Sequence, residues 1–201
     1  MTELARPIVW VDMDGVLADF GQGVELELPP HIPIVRPRKN LYLDLDYPEY
    51  SAVVLGIIRA PGFYRKLPPI ESALEGWQRL IDLEYDPRVL SSPLQANPAC
   101  STEKRDWLKS HFVPHFGRKV VDQALFVKDK SSQRGIALID DHPAIPGAEA
   151  ADWQHLVFDQ PYNAQVETEF RLHGWNDPQL PELLERARNI QRLGYMALHR
   201  T

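Results

Sequence analysis

The chain has 201 residues, 44% of them hydrophobic and 25% charged, with a formal net charge of −6, so it can bury a real core but has no general affinity for nucleic acid or anionic membranes. Its single cysteine, Cys100, excludes an intramolecular disulfide. The opening MTELARPIVW lacks the cationic segment and apolar core of a signal peptide, and no apolar run approaches the ~20 residues a bilayer demands, so the expected address is the cytoplasm.

Residues 8–12 predict a wholly apolar strand of the kind buried on both faces of a parallel sheet. It runs straight into DMDG, which places Asp12 and Asp14 at the strand's carboxyl end and a turn at Gly15. Residues 21–69 break the rhythm, with eight prolines, the aromatics Tyr42, Tyr47, Tyr50, Phe63 and Tyr64, and one apolar patch, AVVLGII, over 52–58. So long a connection reads as an inserted cap over the strand ends, leaving 1–20 and 70–201 as the core domain. Apolar residues at helical spacing predict a helix over 70–84, followed by a strand over 88–91 that ends in Ser91-Ser92. A helix over 98–112 has Asn97 to cap it and Pro98 at its first position. Strands over 124–127, 136–140 and 155–158 follow, the second ending in Asp140-Asp141, and residues 180–198 predict an amphipathic helix. This alternation predicts an α/β fold: an open parallel sheet with right-handed crossovers, flanked by helices, that binds its ligand at the carboxyl ends of its strands. Three such ends then offer polar groups to one edge.

Two carboxylates at one rim repel an incoming anion. At about 4 Å and an effective dielectric near 20, each like-charge pair costs roughly 4 kcal/mol. Attack on a phosphate ester therefore requires cations. Mg²⁺ on hard oxygen ligands supplies two charges, and the oxygens are available in Asp12, the Asp14 main chain, Asp140 and Asp141. Lys104, early in its helix, supplies another, and the helix N-terminus adds positive potential.

The DMDG of Asp12 to Gly15 resembles the first motif of the haloacid dehalogenase superfamily. The ordered series DMDGVLADF, PGFYRKLPPI, SSP, EK, VKDK and LIDDHP, spanning residues 12 to 143, is similar to the 5'(3')-deoxyribonucleotidase family. That resemblance implies a superfamily-type α/β core with a small cap, and Mg²⁺-dependent hydrolysis of nucleoside monophosphates through an aspartyl phosphate. It implies Asp12 as nucleophile and Asp14 as general acid, then base. Ser91, Ser92 and Lys104 would bind the phosphate, and Asp12, Asp14, Asp140 and Asp141 would serve the metal, with Asp141 favoured over Asp140 as direct ligand. Phe20, Phe63 and Lys128 would line the substrate pocket. Ser91 stands where the family commonly has threonine, which keeps the hydroxyl; Lys128 stands where it often has arginine, which replaces a bidentate contact by a point charge.

The expected partner is a small nucleotide rather than a nucleic acid polymer or a membrane, with monomer and homodimer both left open. No His/Cys cluster has zinc spacing, and no Gly-rich phosphate loop is present. Two other readings are weighed: a related phosphatase for another small ester such as a sugar phosphate, and a non-catalytic phosphate binder. The hallmark of the second would be loss of Asp12, Asp14 or Lys104, and all three are present.

Overall fold

The computed structural model describes residues 5–198. Six strands form one sheet in the order β3-β2-β1-β4-β5-β6, every pairing parallel. They are β1 (Ile8–Val11), β2 (Asp86–Ser91), β3 (Leu125–Phe126), β4 (Ala137–Asp140), β5 (Gln154–Phe158) and β6 (Arg171–Leu172). Because β1 lies between β2 and β4, with Val11 opposite both Val89 and Ile139, the carboxyl ends of these three strands emerge side by side. Strand alternation then sorts the apolar residues onto two faces. Val9, Val11, Val89 and Ile139 join the large core with Trp77, Trp107 and Leu184, whereas Trp10, Leu90 and Leu138 pack against Ile145 and Trp153 on the other. The five tryptophans are all buried, as core residues.

The helices are α1 (Phe20–Glu27), α2 (Ser51–Arg59), α3 (Ala73–Asp82), α4 (Cys100–His111), the short α5 (Val113–Phe116) and α6 (Lys119–Asp122), and α7 (Leu180–Leu198). Helix α3 starts three residues later than its apolar spacing predicts. Ile70 is held by its amide to Leu17 O at 2.8 Å and Ser72 adopts a left-handed φ of 59°, so the chain cannot coil before Ala73. Within α3, Gly76 makes room for the Trp175 indole, which a Cβ would overlap; that indole donates to Val16 O at 2.8 Å. Asn97 does not cap α4 as expected. Its Oδ1 accepts from Ala99 N at 3.0 Å and its amide donates to Ala60 O at 3.2 Å, so Pro98 lies in a turn and the helix begins at Cys100.

Between β1 and α3 the chain makes a long excursion through α1, α2 and 3-10 turns at Leu43–Asp46, Pro48–Tyr50 and Tyr64–Lys66. The apolar patch of this stretch forms α2, which buries Val54 and Ile58. Its outgoing and returning legs pair with each other: Asp19 N donates to Pro68 O at 2.7 Å and Ile70 N to Leu17 O at 2.8 Å. Asp19 also caps α1, accepting from Gln22 N at 2.8 Å. On the returning leg, Gly62 N and Tyr64 N donate to the buried Glu103 carboxylate, and Trp107 donates to Leu67 O at 2.6 Å. Both acceptor and donor lie on α4, so α4 fixes the excursion to the core.

Candidate active site

Asp12 follows β1 directly, with its amide bonded to Ile139 O of β4 at 2.9 Å. One oxygen each of Asp12, Asp140 and Asp141 lie within 4.8 Å of one another, and all three residues are buried. Carboxylates at this spacing repel strongly unless cations are interleaved. Two lysines do this. Lys130 Nζ lies 2.9 Å from Asp12 Oδ1 and donates to Asp140 Oδ2 at 2.6 Å. Lys104, 0% exposed, pairs with Asp14 Oδ2 at 2.8 Å and donates to Ser91 Oγ at 2.8 Å and Ser92 O at 3.1 Å.

The same neighbours set the protonation states. Burial pushes the Asp12 carboxyl up, but Lys130 and then Lys104 outweigh it and hold the group below the ordinary carboxylate value. Asp12 is therefore ionised, as a nucleophile must be. For Asp14, burial dominates the opposing Lys104 and raises the carboxyl above its ordinary value, although 25% of the side chain stays exposed. Asp141 is raised well above the ordinary value by burial, then by Asp140 and Asp12. Desolvation disfavours the charged forms of Lys104 and Lys130, but the surrounding carboxylates win and keep both protonated.

Asp12 Oδ1 and Asp14 Oδ1 are buried without a hydrogen-bond partner, the Lys130 contact to Asp12 being an ion pair without hydrogen-bond alignment. Asp140 commits both oxygens to the protein, one to Lys130 and one to His142 N at 2.9 Å. Asp141 commits Oδ2 to the Tyr162 hydroxyl. Buried carboxylate oxygens without hydrogen-bond partners on Asp12 and Asp14, next to the Asp141 carboxylate, form an all-oxygen donor set that fits a hard divalent cation. Gly15 lets these groups close up: at φ 77° its Cα faces Asp141, and a Cβ would fall on that carboxylate and 2.9 Å from Tyr162 Oη.

The structure thus brings together Asp12, Asp14, Ser91, Lys104, Asp140 and Asp141, whereas Ser92 contributes its carbonyl to Lys104. Phe20, Phe63 and Tyr64 form an edge-on aromatic cluster, and Lys104 Nζ sits 5.3 Å from the Tyr64 ring. Phe63 is only 5% exposed, so the half-buried Phe20 offers the accessible aromatic surface. Lys128 is exposed and makes no ion pair among the described residues. Lys130, two residues on, is the lysine that enters the cluster. Charge and spacing in VKDK cannot separate the two; the burial of Lys130, anchored through its carbonyl by Trp153 Nε1 at 3.2 Å, does. Tyr162 and Asn163, which hold Asp141, had no sequence signal beyond their position after a strand. A cavity of about 430 Å³ opens beside this corner, between Gly15 and Gln160 of the sheet's edge and Gln22, Arg36 and Arg38 of the excursion.

The fold matches that of the HAD-hydrolase YfnB from Bacillus subtilis, solved bound to magnesium, with a TM-score of 0.56 at 14% identity over 89% of this chain and 98% of that one. The sheet order and this likeness define the fold class as that of the haloacid dehalogenase-type hydrolases. More narrowly, the chain belongs to the 5' nucleotidase, deoxy (pyrimidine), cytosolic type C protein family, whose model matches residues 6–190. A Bordetella bronchiseptica relative is 36% identical over 162 residues, 78% of this chain and 85% of its own length. The human cytosolic-type 5'(3')-deoxyribonucleotidase is 33% identical over 190 residues, 87% of this chain and 92% of that protein.

Proposed function

We propose that the chain hydrolyses nucleoside monophosphates, deoxyribonucleotides foremost, to nucleoside and inorganic phosphate in a Mg²⁺-dependent reaction. The observation that carries this reading is an ionised Asp12 flanked by two buried ammonium groups, next to a carboxyl, Asp14, whose proton affinity is raised. Asp12 attacks phosphorus, forming an aspartyl phosphate as the bond to the ribose oxygen breaks, and Asp14 gives its proton to that leaving oxygen. Asp14 then takes a proton from the water that attacks phosphorus, which restores Asp12 and releases phosphate. Lys104 and Ser91 hold phosphoryl oxygens, and Lys130 keeps Asp12 charged and aimed. When bound, Mg²⁺ supplies the charge that offsets repulsion between Asp12 and a phosphate dianion. Asp12, Asp141 and the Asp14 main-chain carbonyl would hold it, with Asp140 behind them on Lys130.

In the same reading residues 21–69 are a cap on a core formed by 1–20 and 70–201; the excursion's share in the cavity beside Gly15 supports this. Phe20 presents a face on which a base can stack, with Phe63 behind it. Lys128 stands on the rim, where it would meet the substrate's outer part. The substrate is a free nucleotide and the address cytoplasmic; among the described residues no helix is long and apolar enough to cross a membrane. The name of the human relative supports the substrate class.

The test is a panel of dUMP, dTMP and sugar phosphates, with and without chelator. Turnover is expected on the deoxyribonucleotides, lost on chelation and regained with Mg²⁺. Preference for sugar phosphates would overturn the substrate assignment, and full activity in Asp12→Asn would overturn the nucleophile.

A further inference from the structure

The turn after β5 takes no part in the proposed chemistry, yet it grips both loops that do. Residues Gln160–Asn163, reading QPYN, close a 3-10 turn through a reciprocal capping box. Gln160 Nε2 donates to Gly15 O at 2.7 Å, the Tyr162 hydroxyl donates to Asp141 Oδ2, and Asn163 Nδ2 donates to Asp141 O at 2.8 Å. One short turn therefore joins the loop after β1 to the loop after β4. Its keystone is Asn163, 0% exposed, which uses both amide hydrogens and both carbonyl lone pairs. Nδ2 also donates to Phe158 O at 2.8 Å, while Oδ1 accepts from Gln160 N at 3.1 Å and Arg171 at 3.0 Å. A buried polar network with every member satisfied is rigid. Gly15 packs against Tyr162 and Asp141 with no room for a Cβ, so the Asp141 carboxylate is confined between Gly15 and the Tyr162 hydroxyl.

We infer that the QPYN turn is the positioning element of the site: Tyr162 fixes the Asp141 carboxylate through Oδ2 and leaves the other oxygen for the metal, while Gln160 and Asn163 lock the two loops in register. The inference rests on Asp141 being a metal ligand. Groups that hold a ligating carboxylate typically alter metal affinity 10–100-fold when removed. Tyr162→Phe keeps the ring, and with it the stacking of Arg38 at 4.4 Å, but deletes the hydroxyl.

The experiment is calorimetric titration of Mg²⁺ into the nucleotide-free full chain for wild type, Tyr162→Phe and Asp141→Asn, with melting temperatures of the metal-free proteins. Tyr162→Phe is expected to raise the Mg²⁺ dissociation constant about tenfold, with kcat recovering at saturating Mg²⁺. Asp141→Asn is expected to lose binding. Wild-type Mg²⁺ affinity in Tyr162→Phe, with binding lost in Asp141→Asn, would overturn the positioning role and leave the proposed function standing. Wild-type affinity in Asp141→Asn would overturn the positioning role together with the assignment of Asp141 as a metal ligand. Should Tyr162→Phe fail to fold, Gln160→Leu carries the test: release of the Gly15 carbonyl is expected to weaken Mg²⁺ in the same direction, and unaltered affinity would overturn the role.

Discussion

Asp12 and Asp140 share the Lys130 ammonium, whereas Asp141 is packed against both of them with only a tyrosine hydroxyl on its carboxylate. Folding without metal therefore raises its proton affinity above the ordinary value of 3.8, by burial first and by its acidic neighbours second. A carboxyl raised in the native state contributes stability that is complete below pH 3.8 and is lost as pH climbs through the native value. At neutral pH the metal-free wild type consequently bears a strain that Asp141→Asn lacks. Urea unfolding across pH is expected to show Asp141→Asn more stable than wild type at pH 7 without metal, with the gap narrowing toward pH 3.8, while turnover is abolished. A wild type more stable than the variant at pH 7 would contradict this electrostatic picture. The acids themselves were legible in the sequence because Asp12, Asp140 and Asp141 each end an apolar strand, where a charge has no packing reason to stand. Lys130 was not legible over Lys128, because both are lysines in an extended segment and only tertiary burial tells them apart.

Helix α4 serves two tasks with adjacent residues. Lys104 faces Ser91 and Asp14, while Glu103 receives the amides of Gly62 and Tyr64 from the excursion's returning leg. Replacing Glu103 with alanine orphans the buried Tyr64 amide, at about 1–3 kcal/mol for a buried group left unsatisfied, and frees the part-buried Gly62 amide as well. Glu103→Ala is expected to melt earlier and to raise KM for the nucleotide while kcat holds, since Lys104 keeps its own partners; steady-state kinetics beside a thermal melt would decide, and a fall in kcat alone would count against this division of labour. The long elements were readable: the apolar spacing of residues 70–84 and 180–198 announced α3 and α7, and the AVVLGII patch lies within α2. Among the two-residue strands, β3 was read within 124–127 but β6 was not. Strand β6 is two residues, too few for any periodicity, and the late starts of α3 and α4 depend on contacts from Leu17 and Ala60 that no local pattern contains.

At the level of the molecule, stability and metal binding are linked, because the carboxylates of the cluster come from β1 and β4 and converge only when the sheet is formed. An ion that binds this native arrangement and not the unfolded chain stabilises it by about 2.7 kcal/mol at one hundred times its dissociation constant, and a chain of this size gains about 2–4 °C per kcal/mol. Added Mg²⁺ is expected to raise the melting temperature, chelator to reverse the rise, and Asp141→Asn to show none; a melting temperature indifferent to Mg²⁺ in the wild type would show that the native site takes none. The pairing of Asp19 with Pro68 and of Leu17 with Ile70 has a consequence of its own. Some fifty residues leave and rejoin the sheet at one paired neck, yet Glu103 and Trp107 of α4 also grip them beyond it, so in the cap reading proposed above a neighbour's version spliced in at that neck would carry its selectivity across only if the groups that dock on α4 came with it.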